Sequence, residues 1–341
     1  MYDIFYPNKI PHSKYYTPHL LVCQEYSCLI LFTLFLWSNL FLYKDSNFFL
    51  SNNNNVLFKL SFGWLEKSWF LSLFLSFLFI IIQGIWLNNI VVNTDITAKG
   101  TFIPGLIYVS LICSNQETLS FNGAVISGFF ILYILKIAFG IYGKEDNYMD
   151  IFKMTTTISI ASLLYLPMVL YIFFVWLILI IYRTVNFRMF IISLVGFIIP
   201  YIYVLFLYFW FDKTHIFFQH LIDKYNSLFI HNIDFRIYLG IIPIILGCLY
   251  LISIIGLVRK IKSRVIKIRK YIYIITWMFI FSLINAMFFG DPSLISLSLL
   301  CIPATFFVSD YFISIKRKWL AEFIFTMYII LIFVEKVLQM H

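Results

Sequence analysis

The chain has 341 residues, 62% of them hydrophobic and only 12% charged, against about 25% charge in a soluble protein. No soluble core would hide this much Phe, Ile and Leu, so lipid is the expected solvent for most of the molecule. The formal net charge of +9 would point to nucleic acid in a soluble domain, but these cations cluster in short loops between apolar stretches, which excludes a nucleic-acid partner in favour of membrane lipid.

In chain order, residues 1–20 are polar and aromatic, and no small-residue cleavage site follows the first apolar run, so no cleavable signal peptide is expected. Apolar stretches then lie at about 27–43, 69–92, 102–113, 123–142, 155–182, 189–211, 237–258, 271–289, 293–314 and 319–337. Most reach the roughly 20 residues that a helix needs to cross the hydrocarbon layer. Two do not fit simply: 102–113 is short, and 155–182 is long and interrupted by Pro167. The features Tyr165-Leu-Pro167 and Gly196 to Pro200 predict kinks and close packing rather than an ion site, because no charge or amide cluster flanks them.

Cations in short loops mark the cytoplasmic side. Arg259, Lys260, Lys262, Arg264, Lys267, Arg269 and Lys270 give loop 259–270 seven positive charges and no negative one. Loops 315–319 and 183–188 are also basic, and all three alternate correctly with the intervening spans. The first half admits three parses. If 155–182 is one span and 102–113 crosses, the N-terminus is outside. If 155–182 is two short helices meeting near Pro167, or if 102–113 is re-entrant, the N-terminus is inside.

The expected fold is therefore an all-α, polytopic transmembrane helical bundle of about ten or eleven membrane helices, with the N-terminus inside. It forms one integral membrane domain over 1–341. Residues 1–26 are cytoplasmic, loop 44–68 is external, and the basic loop 259–270 is cytoplasmic, its seven cations reaching lipid headgroups at most. Segment 212–236 is external. Phe217, Phe218, Leu221, Ile222 and Tyr225 share one helical face there, which predicts an amphipathic helix in the outer interface or a lid on the bundle.

Charge inside a bilayer is costly, so ionisable residues in spans are functional candidates. Lys136 is the deepest basic residue. It would pair with Asp310 or Glu322, both toward the cytoplasmic side; the alternative is that all three reach the headgroup region. The five cysteines form no CxxC pair, and His215 and His220 are five apart rather than four, so neither a metal site nor a disulfide framework is expected. Nucleotide-binding, P-loop, nucleophile-elbow and zinc-protease motifs are missing from the sequence, and no cofactor is assigned.

The stretch from Asp150 through Thr155-Thr-Thr157 to Tyr165-Leu-Pro167, with Tyr182-Arg-Thr-Val-Asn-Phe-Arg188 and Gly196-Phe-Ile-Ile-Pro200, resembles a polytopic inner-membrane family of Bacteroidota. The likeness is best over roughly 85–210. It implies a multi-pass location in the cell inner membrane and no particular reaction. The order of elements also resembles, more distantly, the C-type fold of lipid-linked glycosyltransferases, which places an acidic residue in the first external loop. That resemblance implies a catalytic or metal-assisting role for Asp45. The chain departs from the pattern, because no acidic pair follows Asp45: the loop continues Ser-Asn-Phe-Phe and Glu66 is 21 residues on, and a pair is the usual means of activating an acceptor hydroxyl. Asp291, in the turn Gly290-Asp-Pro-Ser293, would face the same external vestibule and is the second candidate acid.

The leading expectation is a glycosyltransferase-C-like protein that acts on a polyprenyl-phosphate sugar during cell-envelope glycan assembly. Its rivals are a non-enzymatic membrane subunit, with a membrane-protein partner, and a small secondary transporter that couples through Lys136 with Asp310 or Glu322.

Overall fold

A bilayer offers no water to satisfy backbone polar groups, so long apolar runs close their hydrogen bonds within themselves as helices. The computed structural model describes residues 26–37, 68–94, 102–114, 121–144, 147–215, 217–219, 264–289, 297–315 and 317–338, with a few isolated positions between them. Among the described residues there are ten α-helices of ten residues or more, and no strand. They are α1 (Tyr26–Trp37), α2 (Trp69–Asn93), α3 (Ile103–Ile112), α4 (Gly123–Gly140), α5 (Tyr148–Leu164), α6 (Tyr171–Tyr182), α7 (Phe187–Trp210), α8 (Ile266–Ile284), α9 (Leu297–Ser314) and α10 (Lys318–Leu338). Among the described residues, five segments are long and apolar enough to cross a membrane: Phe70–Asn93, Gly123–Gly140, Phe187–Trp210, Ile266–Met287 and Leu297–Ser314.

The stretch 155–182 is broken, as one parse of the sequence required. Pro167 has no N–H to continue a helical ladder. The chain leaves α5 through Tyr165 in an extended conformation (φ −143°, ψ 99°) and re-enters as a 3₁₀ turn, Leu166–Leu170, before α6. The break reverses the chain. Three contacts show that α5 and α7 run side by side in the same direction. The Arg188 guanidinium lies 4.9 Å from the centre of the Tyr148 ring. Gly196 meets Thr155 and Phe152 with no room for a β-carbon. The Ser162 and Tyr201 hydroxyls are 2.8 Å apart. α6 is the return limb between them. Small residues such as Gly196 are what let membrane helices approach this closely, since lipid tails provide no hydrophobic drive between helices. Pro200, by contrast, sits inside α7 without ending it.

The ends of the other helices are ordered by their contacts. Tyr182 donates to the Ala138 carbonyl at 2.9 Å, and Tyr271 to that of Phe139 at 2.7 Å. The end of α4, the end of α6 and the start of α8 therefore share one level. Arg264 adds the end of α9 through Asp310 and the chain just beyond α2 through the Ile96 carbonyl. At the opposite end, Gly123 packs on the Leu164 backbone, Tyr171 and Ser282 hydroxyls meet at 2.8 Å, and Asn285 donates to the Pro167 carbonyl at 3.1 Å. α1 starts near the first of these ends. Its Leu29 lies against Gly105 early in α3, while Trp37 reaches Phe77 in the first half of α2, 5.5 Å between ring centres.

Two expected boundaries move. The basic stretch 259–270 is not all loop, because α8 begins at Ile266 and carries Lys267, Arg269 and Lys270; no helix breaker separates these cations from the apolar run that follows. In segment 212–236, Phe217 is buried against Leu163 and Val204, while Phe218 and Ile222 remain exposed. The segment thus begins by packing on the ends of α5 and α7. Its remainder from 223 lies outside the described residues.

Candidate functional site

Most of the described cations sit at the end where α4, α6 and α9 finish and α5, α7 and α8 begin. Three kinds of contact hold them there. Lys144 pairs with Asp150 in the first turn of α5 at 2.6 Å, where a carboxylate also complements the helix dipole. Arg264 pairs with the buried Asp310 at 3.1 Å and donates to the Ile96 carbonyl at 3.3 Å. Lys270 stands over the rings of Tyr142 and Tyr182, at 5.3 and 5.4 Å from their centres, and Lys267 over Tyr271 at 5.8 Å. Cation–π contact keeps an ammonium partly desolvated without a carboxylate partner. Two of these tyrosines, Tyr182 and Tyr271, cap the last carbonyls of α4, so the cations also face the negative end of that helix.

Beside this cluster a groove of about 460 Å³ runs between the last turns of α2 and α4. Trp86, Asn89, Asn93 and Thr94 line it from α2 and its cap, Lys136 and Gly140 from α4, and Tyr271 from α8. Asn89 and Asn93 are four residues apart, and so are Lys136 and Gly140, so each pair stands on one helix face. Lys136 is exposed and forms no ion pair among the described residues. Among the described residues, no carboxylate lines the groove.

Farther inside, the bundle holds a buried polar network. Tyr108 donates to Gln83 Oε1 at 2.6 Å, and Gln83 Nε2 donates to the Val125 carbonyl at 2.6 Å. The Gln83 amide lies against Gly128, where a β-carbon would strike it. This network clamps α2, α3 and α4 together and is closed to ligand, since its donors and acceptors satisfy one another.

Of the candidates read from the sequence, Asp310 is ion-paired with Arg264 and lies at the end of α9. Lys136 lines the groove on α4, and Glu322 is half-buried on the second turn of α10. Asp45, Asp291, Arg259, Lys260 and Lys262 lie outside the described residues. The groove residues Asn89, Asn93 and Tyr271 are not singled out by sequence reasoning. The available signal is the pair of amides, Asn89 and Asn93, four apart at the end of an otherwise apolar span. No family model matches the chain, and neither a curated protein nor a solved structure matches it.

Proposed function

We propose that the protein is a multi-pass inner-membrane protein whose basic end faces the cytoplasm and whose chemistry, on a polyprenyl-phosphate sugar, lies at the opposite face. The observation that carries this reading is the reversal at Pro167. It supplies one extra crossing. Ten described helices, five of them long and apolar enough to cross on their own, and the apolar stretch 237–258 then give eleven passes of the chain between the two ends. Eight of the eleven precede the basic stretch 259–270, and that even number brings it to the same side as the N-terminus, while loop 44–68, the segment from 212 and the turn at Asp291, each after an odd number, fall on the other. The positive-inside tendency makes the first side cytoplasmic. Asp45 and Asp291 are the acids available to an external site in a glycosyltransferase-C-like protein, one acting in cell-envelope glycan assembly. The test is to replace each by asparagine in the native cell and compare lipid-linked and surface glycans. Loss or truncation of a glycan species in either variant is expected. An unchanged profile in the double variant overturns the enzymatic reading.

The outward face of α7 supports a second reading, a membrane subunit with a protein partner. Four of its 24 residues are buried, against 13 of the 18 in α9. A stoichiometric partner that stays bound in mild detergent, and is lost on substituting Ile198 and Ile202 with Ala, is the outcome that would favour it.

A further inference from the structure

The groove between α2 and α4 lies at the end of a longer surface track. Phe74, Leu78 and Ile82 on α2 are exposed at 48, 38 and 46%. Their spacing of four continues, after one further two-turn step, to Asn89 and Asn93. One stripe of the helix is therefore apolar for its first part and amide-bearing in its last turns. The part of that stripe within one leaflet, about 15 Å from the amides, runs to near Ile82, so tails would lie against Ile82 and a headgroup at the amides. Trp86, where the stripe changes character, combines an apolar ring with an N–H donor, as interfacial aromatics do.

The chemistry at the polar end selects the headgroup. Lys136 offers three N–H donors and a full charge, and Asn89 and Asn93 offer two amide N–H each. Thr94 is not a further donor, because its hydroxyl is committed to the Val91 carbonyl at 3.0 Å. The helix-end carbonyls of Ala138 and Phe139, which would repel an anion, are occupied by Tyr182 and Tyr271. Lys267, over the outer wall formed by Tyr271, adds positive potential. A β-carbon on Gly140 would meet no atom within 4 Å, so space in the groove is open to a ligand at that point.

We propose that this groove binds the phosphodiester headgroup of an anionic phospholipid, with Lys136, Asn89 and Asn93 as donors and Ile82, within one leaflet's depth of them, along the tails. Basic pockets between membrane helices on the cytoplasmic side have the charge such headgroups require. The site is separate from the proposed outer-face chemistry and stands whether or not a sugar is transferred.

The test uses the full-length protein, delipidated in detergent, with binding of phosphatidylglycerol followed by native mass spectrometry. Phosphatidylcholine and soluble glycerol 3-phosphate are the comparison ligands. Phosphatidylglycerol is expected to bind at least tenfold more tightly than either. Lys136→Gln and Gly140→Leu should each weaken it at least tenfold, Lys136→Arg should retain it, and Lys144→Gln, at the same end but outside the groove, should leave it unchanged. Thermal midpoints in phosphatidylcholine nanodiscs establish that the variants are folded; should Gly140→Leu fail there, the two Lys136 variants decide. Binding unaffected by Lys136→Gln, an equal loss in Lys144→Gln, or glycerol 3-phosphate binding as tightly as the lipid would each overturn the proposal.

Discussion

Arg264 joins three parts of the chain at the basic end, through the Asp310 carboxylate and the Ile96 carbonyl. With Asp310 buried and Arg264 mostly so, removing one partner leaves the other's charge uncompensated by its ion pair. Asp310→Asn or Arg264→Gln should cost about 3 kcal/mol, read as a lower unfolding midpoint in detergent. An Arg264→Met, Asp310→Leu double variant should lose much less, because it buries no unpaired charge. Two glycines make a contrasting pair. Gly196 is pressed against Thr155, so Gly196→Leu should cost roughly 1–3 kcal/mol through overpacking and loosen α5 from α7. Gly140 faces open space, and Gly140→Ala should change stability by less than about 0.5 kcal/mol. Both are measurable by thermal unfolding in the same detergent. Sequence reading identified Asp310 as a costly intramembrane charge but looked to Lys136 for its partner. Depth along a span is legible from sequence; which faces of two spans meet is not, because that depends on packing between helices that are apolar all round.

At the scale of elements, the reversal after α5 is the feature that sets the count. Its polar cost is met from a distant part of the chain. Asn285, where α8 passes into the π-helical turn Asn285–Phe289, donates to the Pro167 carbonyl, and Ser282 one turn earlier meets Tyr171. Asn285→Leu leaves that carbonyl buried without its donor and should destabilise the protein by about 1–3 kcal/mol. Protease accessibility of the 164–171 connection should rise in parallel. Unchanged stability and accessibility would show that α8 does not hold the turn. Pro167 made the break visible in the sequence, and the short stretch 102–113 is a real ten-residue helix, Ile103–Ile112. The start of α8 was less visible. Its cations read as loop by charge, yet a helix accepts Lys and Arg readily where their side chains reach the headgroup region.

At the scale of the whole molecule, one account ties the basic end, the reversed hairpin and the lipid-facing stripes together. The described helices alternate in direction, α1 starting and α9 finishing at the end where Arg264, Lys267 and Lys270 gather. Composition and apolar run lengths were enough to read an all-helical membrane protein, because only lipid makes such a sequence soluble. The groove was not legible, since it is made by the juxtaposition of two parallel helices and a tyrosine from a third. The central claim is the orientation of this bundle, and it is tested by single cysteines in a variant lacking the five native ones. Lys144→Cys lies at the basic end and Lys213→Cys just beyond α7 at the other, both exposed. A membrane-impermeant maleimide applied to intact spheroplasts should label Lys213→Cys and reach Lys144→Cys only after permeabilisation. Labelling of Lys144→Cys, with protection of Lys213→Cys, in sealed spheroplasts would contradict the account.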